Sequence, residues 1–178
     1  MLRVAPVSDA RSEDFAEANA AQWGTFASDA ATASVTNSTA RLKDRTASIL
    51  FTTASGFDTG VKSPANPSLD FDASAFNSLV LWEYPVNTTP VGWQDLQPIV
   101  VIRTTGGTIT LPPDSPLTGY SVWQQYNVPF DGGVRWTRTT SGTPDLRHVT
   151  QIEIHHDTWD AGFRIWLDGI RFAVSAPY

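Results

Sequence analysis

The stretch EIHHDTWDAGFRIWLDGIRF, residues 153–172, brings adjacent histidines, carboxylates and tryptophans into what otherwise reads as buried strand. Three chemistries use such residues: a histidine-bound metal, a pair of carboxylates that cleaves a glycosidic bond, and a site where rings stack on a ligand and polar groups bond its edge. Side chains alternate across a strand, so His155 and His156 face opposite ways and cannot both reach one ion. A strand-borne zinc site would need a His-x-His spacing or a third ligand from elsewhere, and the other histidine, His148, falls in an expected turn. A transition-metal centre is therefore set aside. By parity Ile152, Ile154 and His156 share one side, expected to be core, with His156 hydrogen-bonded to a turn. Gln151, Glu153, His155 and Asp157 share the other, which is either a solvated outer face or a polar binding face.

A glycoside hydrolase needs two carboxylates across a cleft, roughly 5–5.5 Å apart for retention or roughly 6.5–9.5 Å for inversion. Glu153 and Asp157 lie on one strand, and Glu83 takes the parity opposite to Trp82, so no facing pair is evident. Tyr84 and Arg103 meet the needs of a lyase only loosely. In NSLVLWEYP, Leu79 and Leu81 share one parity and Val80, Trp82 and Tyr84 the other, leaving both sides too apolar for a plain solvated strand. Arg103 carries a planar five-donor fork that can serve two adjacent hydroxyls. Trp93, Trp136 and Trp159 sit among turn formers, where a tryptophan is either a plug over the end of a fold or a ligand platform. Trp159 is the one retained as a platform, because it follows Glu153, His155 and Asp157.

The elements that must position these groups are strands. Period-2 apolar segments recur at 32–37, 47–53, 77–85, 98–105, 107–112, 120–130, 150–156 and 163–174, separated by turn formers such as SGFDTG, SPANPS, TTGGT, LPPDSP and SGTPD. Only EDFAEANAAQW, 13–23, hints at a helix. This spacing predicts an all-β fold, an antiparallel two-sheet sandwich or jelly roll. With 178 residues and 41% hydrophobic content, one domain over 13–178 is expected, with residues 1–12 as a linker or cloning remnant. The net charge of −6 and the lack of basic runs argue against nucleic acid, and no apolar stretch is long enough to cross a membrane as a helix. Zero cysteines exclude disulfides and thiolate chemistry.

The order of several pieces resembles the carbohydrate-binding modules of the galactose-binding-domain-like jelly-roll superfamily, which accompany bacterial polysaccharide-degrading enzymes. The pieces are EDF at 13–15, KDRTASILFTT, LDFDASAFNSLVLWEYP, VWQQYNVPF and FRIWLDGIRF, so the resemblance spans roughly 13–174. It implies a structural calcium held by Asp168 of the closing strand and Asp14 near the front, with Asp44 and the carbonyls of Lys43 and Arg45 as further ligands. The front departs from the family pattern, with Ala16 in place of an acid and Glu17 next, so the identity of the N-terminal ligand stays open. The residues alone offer another reading, in which Asp168 caps a turn before Gly169.

The resemblance also implies that Leu79 and Leu81 point inward, so that Trp82 and Tyr84 emerge on a concave sheet beside Glu153 and His155. Together with Arg103, Asp157 and Trp159 they would bind a polysaccharide. The expectation is a secreted, non-catalytic module, of a kind that can be tethered to a catalytic domain, that binds neutral plant or algal chains of the xylan, mannan or β-glucan type. The alternatives are a jelly-roll glycoside hydrolase or lyase and a structural scaffold.

Overall fold

A computed structural model describes residues 12, 14–17, 22–27, 33–53, 56–65, 70–86, 95–115, 121–158 and 162–175. Eleven strands form two antiparallel sheets. They are β1 (Gly24–Ala27), β2 (Ser34–Ser38), β3 (Ser48–Thr52), β4 (Gly56–Ser63), β5 (Ser78–Val86) and β6 (Asp95–Thr104), followed by β7 (Gly107–Leu111), β8 (Gln124–Pro129), β9 (Thr139–Gly142), β10 (Val149–Thr158) and β11 (Arg164–Ala173). One sheet has six strands in the order β1-β4-β10-β6-β7-β9, and the other has five in the order β2-β3-β11-β5-β8. Each of the eight segments with strand periodicity contains a strand. The helix-like segment yields a 3-10 turn at Phe15–Glu17 among its described residues.

Strands β4 and β9 escape sequence reading because GFDTGVKS and TTSG are built from turn formers, and β1 because the four residues GTFA are too few to show a strand period. Tertiary packing overrides that local preference at Gly60. A Cβ there would lie 2.4 Å from the Ile154 carbonyl oxygen and 2.6 Å from the Phe26 ring, so only glycine lets β1, β4 and β10 close up.

The alternation of buried and half-buried residues along β5 shows which face is inside: Leu79, Leu81, Glu83 and Pro85 point into the sandwich, and Val80, Trp82, Tyr84 and Val86 point out. Opposite them, β10 sends Ile152, Ile154 and His156 inward. Phe51, Phe163, Phe172, Ile49, Ile102 and Leu111 fill the space between, each contributing about 1.5–3 kcal/mol by leaving water. At one end Phe15, Phe71, Phe76 and Phe130 gather round the ring of Phe172, with centroids 5.3–6.1 Å from it.

A polar pair interrupts this core. Glu83 and His156 are both fully buried, and Nε2 of His156 is hydrogen-bonded to Oε1 of Glu83, joining the two sheets. The sequence leads one to expect a turn as the partner of His156; its partner is instead a carboxylate on the facing sheet. Glu83 Oε2 and His156 Nδ1 have no hydrogen-bond partner.

Candidate functional site

The outward face of the six-stranded sheet carries a continuous polar strip. Register puts Arg103 of β6 opposite Gln151 of β10, and Glu153 between Val101 of β6 and Lys62 of β4. Arg103 grips Glu153 with two donors, Nε to Oε1 at 2.5 Å and Nη2 to Oε2 at 3.1 Å. His155 continues the chain, with Nε2 2.9 Å from Glu153 Oε2 and Nδ1 2.7 Å from Asp58 Oδ1 on β4. A neutral imidazole can donate to only one of these two carboxylates. The Phe26 ring of β1 lies against His155, centroids 4.3 Å apart, over the space that Gly60 leaves empty. Burial pushes the Glu153 carboxyl up, but hydrogen bonds from His155 and Arg103, with the charge of Arg103, outweigh it and hold the group at about 2.

The ends of the strip are open: the side chains of Arg103 and Asp58 are about half exposed, whereas Glu153 is almost wholly enclosed. Thr108 and Thr110 of β7, paired with Arg103 and Val101, extend the same face with hydroxyls. Arg103, Glu153 and His155 were thus recognisable from sequence. Asp58 and Phe26 were not, because β4 is disguised as a turn and β1 is too short to show a strand period. The backbone of Asp157 continues β10 with its side chain outside the described residues, and Trp159 lies outside them altogether.

Trp82 and Tyr84 do not join this strip. They belong to β5, whose sheet lies across the core from β10, so the expected combination of Trp82 and Tyr84 with Glu153 and His155 on one face is corrected to two opposite outer faces. The physical reason is strand order: β5 neighbours β11 and β8, and β10 neighbours β4 and β6. Segment 39–47 roofs the aromatic face. The Arg41 guanidinium sits 4.3 Å from the Tyr84 centroid and 5.0 Å from that of Trp166, and the Lys43 ammonium sits 4.2 Å from that of Trp82. These cation–π contacts spend the outer faces of Tyr84 and Trp166 on packing.

Beside this roof is a cluster of acids. Asp14, Glu17 and Asp168 offer carboxylate oxygens that all lie within 4.8 Å of one another. Asp168 stands on a bulge of β11 whose Gly169 has φ +58°, and its oxygens accept backbone N–H bonds from Lys43 at 2.6 Å, Asp44 at 3.0 Å and Gly169 at 2.7 Å. Residues 43 and 44 therefore present N–H groups to Asp168. Burial raises the pKa of both Asp14 and Asp168 against the hydrogen bonds that oppose it. Glu17 goes the other way, as bonds from Thr46 and Ala47 overcome its slight burial. Asp44 is not among the three; it pairs with Arg171, whose Nη2 also donates to Asp14 at 2.7 Å. The third acid of the cluster is Glu17, the residue flagged where the front of the chain departs from the family pattern.

No family model matches the sequence, and no curated protein matches it. Solved structures match in shape. The family 11 carbohydrate-binding module of a cellulosomal cellulase of Clostridium thermocellum superposes at a TM-score of 0.61, covering 97% of each chain at 15% identity. A family 11 module from the same organism, solved in complex with a β-1,3-1,4-mixed-linked tetrasaccharide, gives 0.60 over 94% of this chain and 96% of that one, at 16% identity. An exo-β-agarase gives 0.59 at 17% identity, over 88% of this chain and 24% of that one. At these identities the likeness establishes the fold: this chain has the jelly-roll β-sandwich of those modules.

Proposed function

We propose that the chain is a non-catalytic carbohydrate-binding module that takes a stretch of polysaccharide along the outward face of its six-stranded sheet. The observation that carries this reading is the Arg103–Glu153–His155–Asp58 strip, a fixed row of donors and acceptors with a ring at its edge. Sugars present hydroxyl-rich edges and a weakly polar C–H face, so such a row with Phe26 beside it supplies both kinds of contact. The shared fold supports the same reading, and because one module of similar fold was solved with a β-1,3-1,4-mixed-linked tetrasaccharide, β-glucans are the first of the neutral plant or algal chains to test.

Catalysis by these residues is disfavoured on chemical grounds. A general acid at neutral pH needs a raised pKa, and Glu153 is held at about 2 by two partners. Glu83 is enclosed in the core, out of reach of any substrate. The module reading carries with it export from the cell and tethering to a polysaccharide-degrading catalytic domain.

The acid cluster fits a structural calcium ion. Three carboxylates, two of them buried, form an all-oxygen donor set of the kind a hard cation prefers. Asp14, Glu17 and Asp168 would hold it, and it would tie the N-terminal turn to β11, far from the polar strip.

The test is retention on a panel of neutral and acidic polysaccharides, with and without a calcium chelator, while new reducing ends and unsaturated sugars are followed. Retention on neutral glucans without product, lost in Arg103→Ala, supports the reading. Product formation, or retention unchanged in Arg103→Ala, overturns it.

A further inference from the structure

The opposite face of the sandwich holds a hollow that the polar strip does not use. It measures about 200 Å³ and is walled by Trp82 of β5, Gln125 and Asn127 of β8, Asp44 of segment 39–47, Arg171 of β11 and Ser175. Strand register explains the grouping. Trp82 pairs with Gln125 on one side and Asp168 on the other, and Val80 lies between Asn127 and Arg171. The bulge at Gly169 makes room for the indole, since a Cβ at 169 would stand 3.0 Å from Trp82 Cδ1.

We infer that this hollow is a second binding site, for a single neutral sugar ring such as a chain end, independent of the strip on the other sheet. Its chemistry argues for a polyhydroxyl ligand. An anion would meet the Asp44 carboxylate and a cation the Arg171 guanidinium, which is already engaged by Asp44 and Asp14. Around these charges stand two primary amides and a hydroxyl oxygen, polar groups suited to hydroxyls, with an indole as the apolar wall. The groups are also held in place beforehand. Arg171 is fixed by Asp14 and Asp44, and Ser175 donates to Asn127 Oδ1 at 3.0 Å while sharing a hydrogen bond with Ser78 at 2.8 Å. Preorganised polar walls lower the ordering cost of binding, yet one ring buries little area, so affinity of millimolar order is expected.

Asp44 of segment 39–47 walls the hollow on one side, and a volume of about 200 Å³ suits one ring better than a run of them. This separates the two faces by ligand: chain segments on the six-stranded sheet, single rings or chain ends on the five-stranded one.

The experiment is a two-dimensional NMR titration of the whole protein with the methyl glycosides of glucose, xylose, mannose and galactose, following the Trp82 indole N–H and the Gln125 side-chain amide. The expected result is saturable movement of both signals with at least one glycoside. That movement persists in Arg103→Ala, which disables the strip, and is lost in Gln125→Ala, an exposed position where truncation leaves the fold intact. Absence of any saturable shift at Trp82 and Gln125 overturns the inference, as does a shift abolished by Arg103→Ala. Failure here leaves polysaccharide retention through Arg103 untouched, so the two proposals fail separately.

Discussion

Replacing Glu83 by leucine leaves His156 buried between the sheets with no partner, and replacing His156 by leucine strands the Glu83 carboxylate in the same way. Both side chains are fully enclosed, with the Phe51 ring 5.9 Å from the imidazole, so water cannot step in as a substitute partner. Removing one member of a buried pair costs about 3–5 kcal/mol. In a domain of this size about 1 kcal/mol moves the melting temperature by roughly 2–4 °C, so each single variant should melt about 6–20 °C lower. The double variant Glu83→Leu/His156→Leu should behave differently. Glu83 Oε2 and His156 Nδ1 have no hydrogen-bond partner in the native fold, so the pair carries an uncompensated cost of about 1–3 kcal/mol for each such atom. Removing both members lifts that cost, and the double variant should recover most of the loss or exceed the native protein. Calorimetric melts of the four proteins, with urea titrations to confirm unchanged m-values, give the coupling energy directly. A single variant within about 2 °C of the native protein, under the roughly 2–4 °C per kcal/mol expected here, would refute the burial argument. A double variant less stable than both singles would falsify the claim that the pair is a net cost.

Acid should weaken the fold through Glu153. Its folded value of about 2 lies below the ordinary 4.5, so its stabilising contribution is complete above pH 4.5 and is lost as pH falls towards about 2. The full loss is about 3 kcal/mol, and Glu153→Gln should flatten that part of the stability–pH curve; an unchanged slope between the two proteins would count against the network. Gly60→Ala should destabilise by about 1–3 kcal/mol and lower the midpoint of urea unfolding, because the added Cβ meets the Ile154 carbonyl oxygen. A neutral effect would mean that β1 does not close over β4 as described. Calcium should raise the melting temperature in proportion to the logarithm of its concentration. A chelator should reverse this, and Asp168→Asn should abolish the response; a calcium-independent melt would remove the ion from the account.

The strands that sequence reading finds share one property: their apolar residues alternate, as in Leu79, Leu81 and Ile152, Ile154, and burial on one face demands that pattern. Strand β4 lacks it because its inward positions hold the polar Thr59 and Ser63 beside Val61, and Gly60 on the other side is there to admit Phe26 rather than to favour a strand. Parity along one strand correctly separates His155 from His156 and Trp82 from Glu83. Parity cannot say which strands are neighbours, so the placing of Trp82 and Tyr84 beside Glu153 rests on the resemblance alone, and strand order overturns it. The partner of His156 was hidden for the same reason, since Glu83 lies 73 residues away on the facing sheet. The acid cluster was accessible in part: Asp168 stands out as a carboxylate in an apolar strand, whereas choosing Glu17 over Asp44 required knowing that Arg171 takes Asp44.

The placement of β11 bears on how the chain reaches its native state. Although it is the last strand, it lies in the middle of the five-stranded sheet, between β3 and β5, and its Arg171 bonds to Asp14, 157 residues earlier. On a ribosome, the earlier strands of that sheet would wait as two unjoined pieces, β2-β3 and β5-β8, with apolar edges bare until residues 164–173 emerge. Synthesis of the earlier strands alone therefore cannot yield a folded half, and ordering of the sheet waits until β11 has been made. Truncation just before Arg164 should yield a chaperone-dependent, aggregation-prone chain instead of a smaller stable domain.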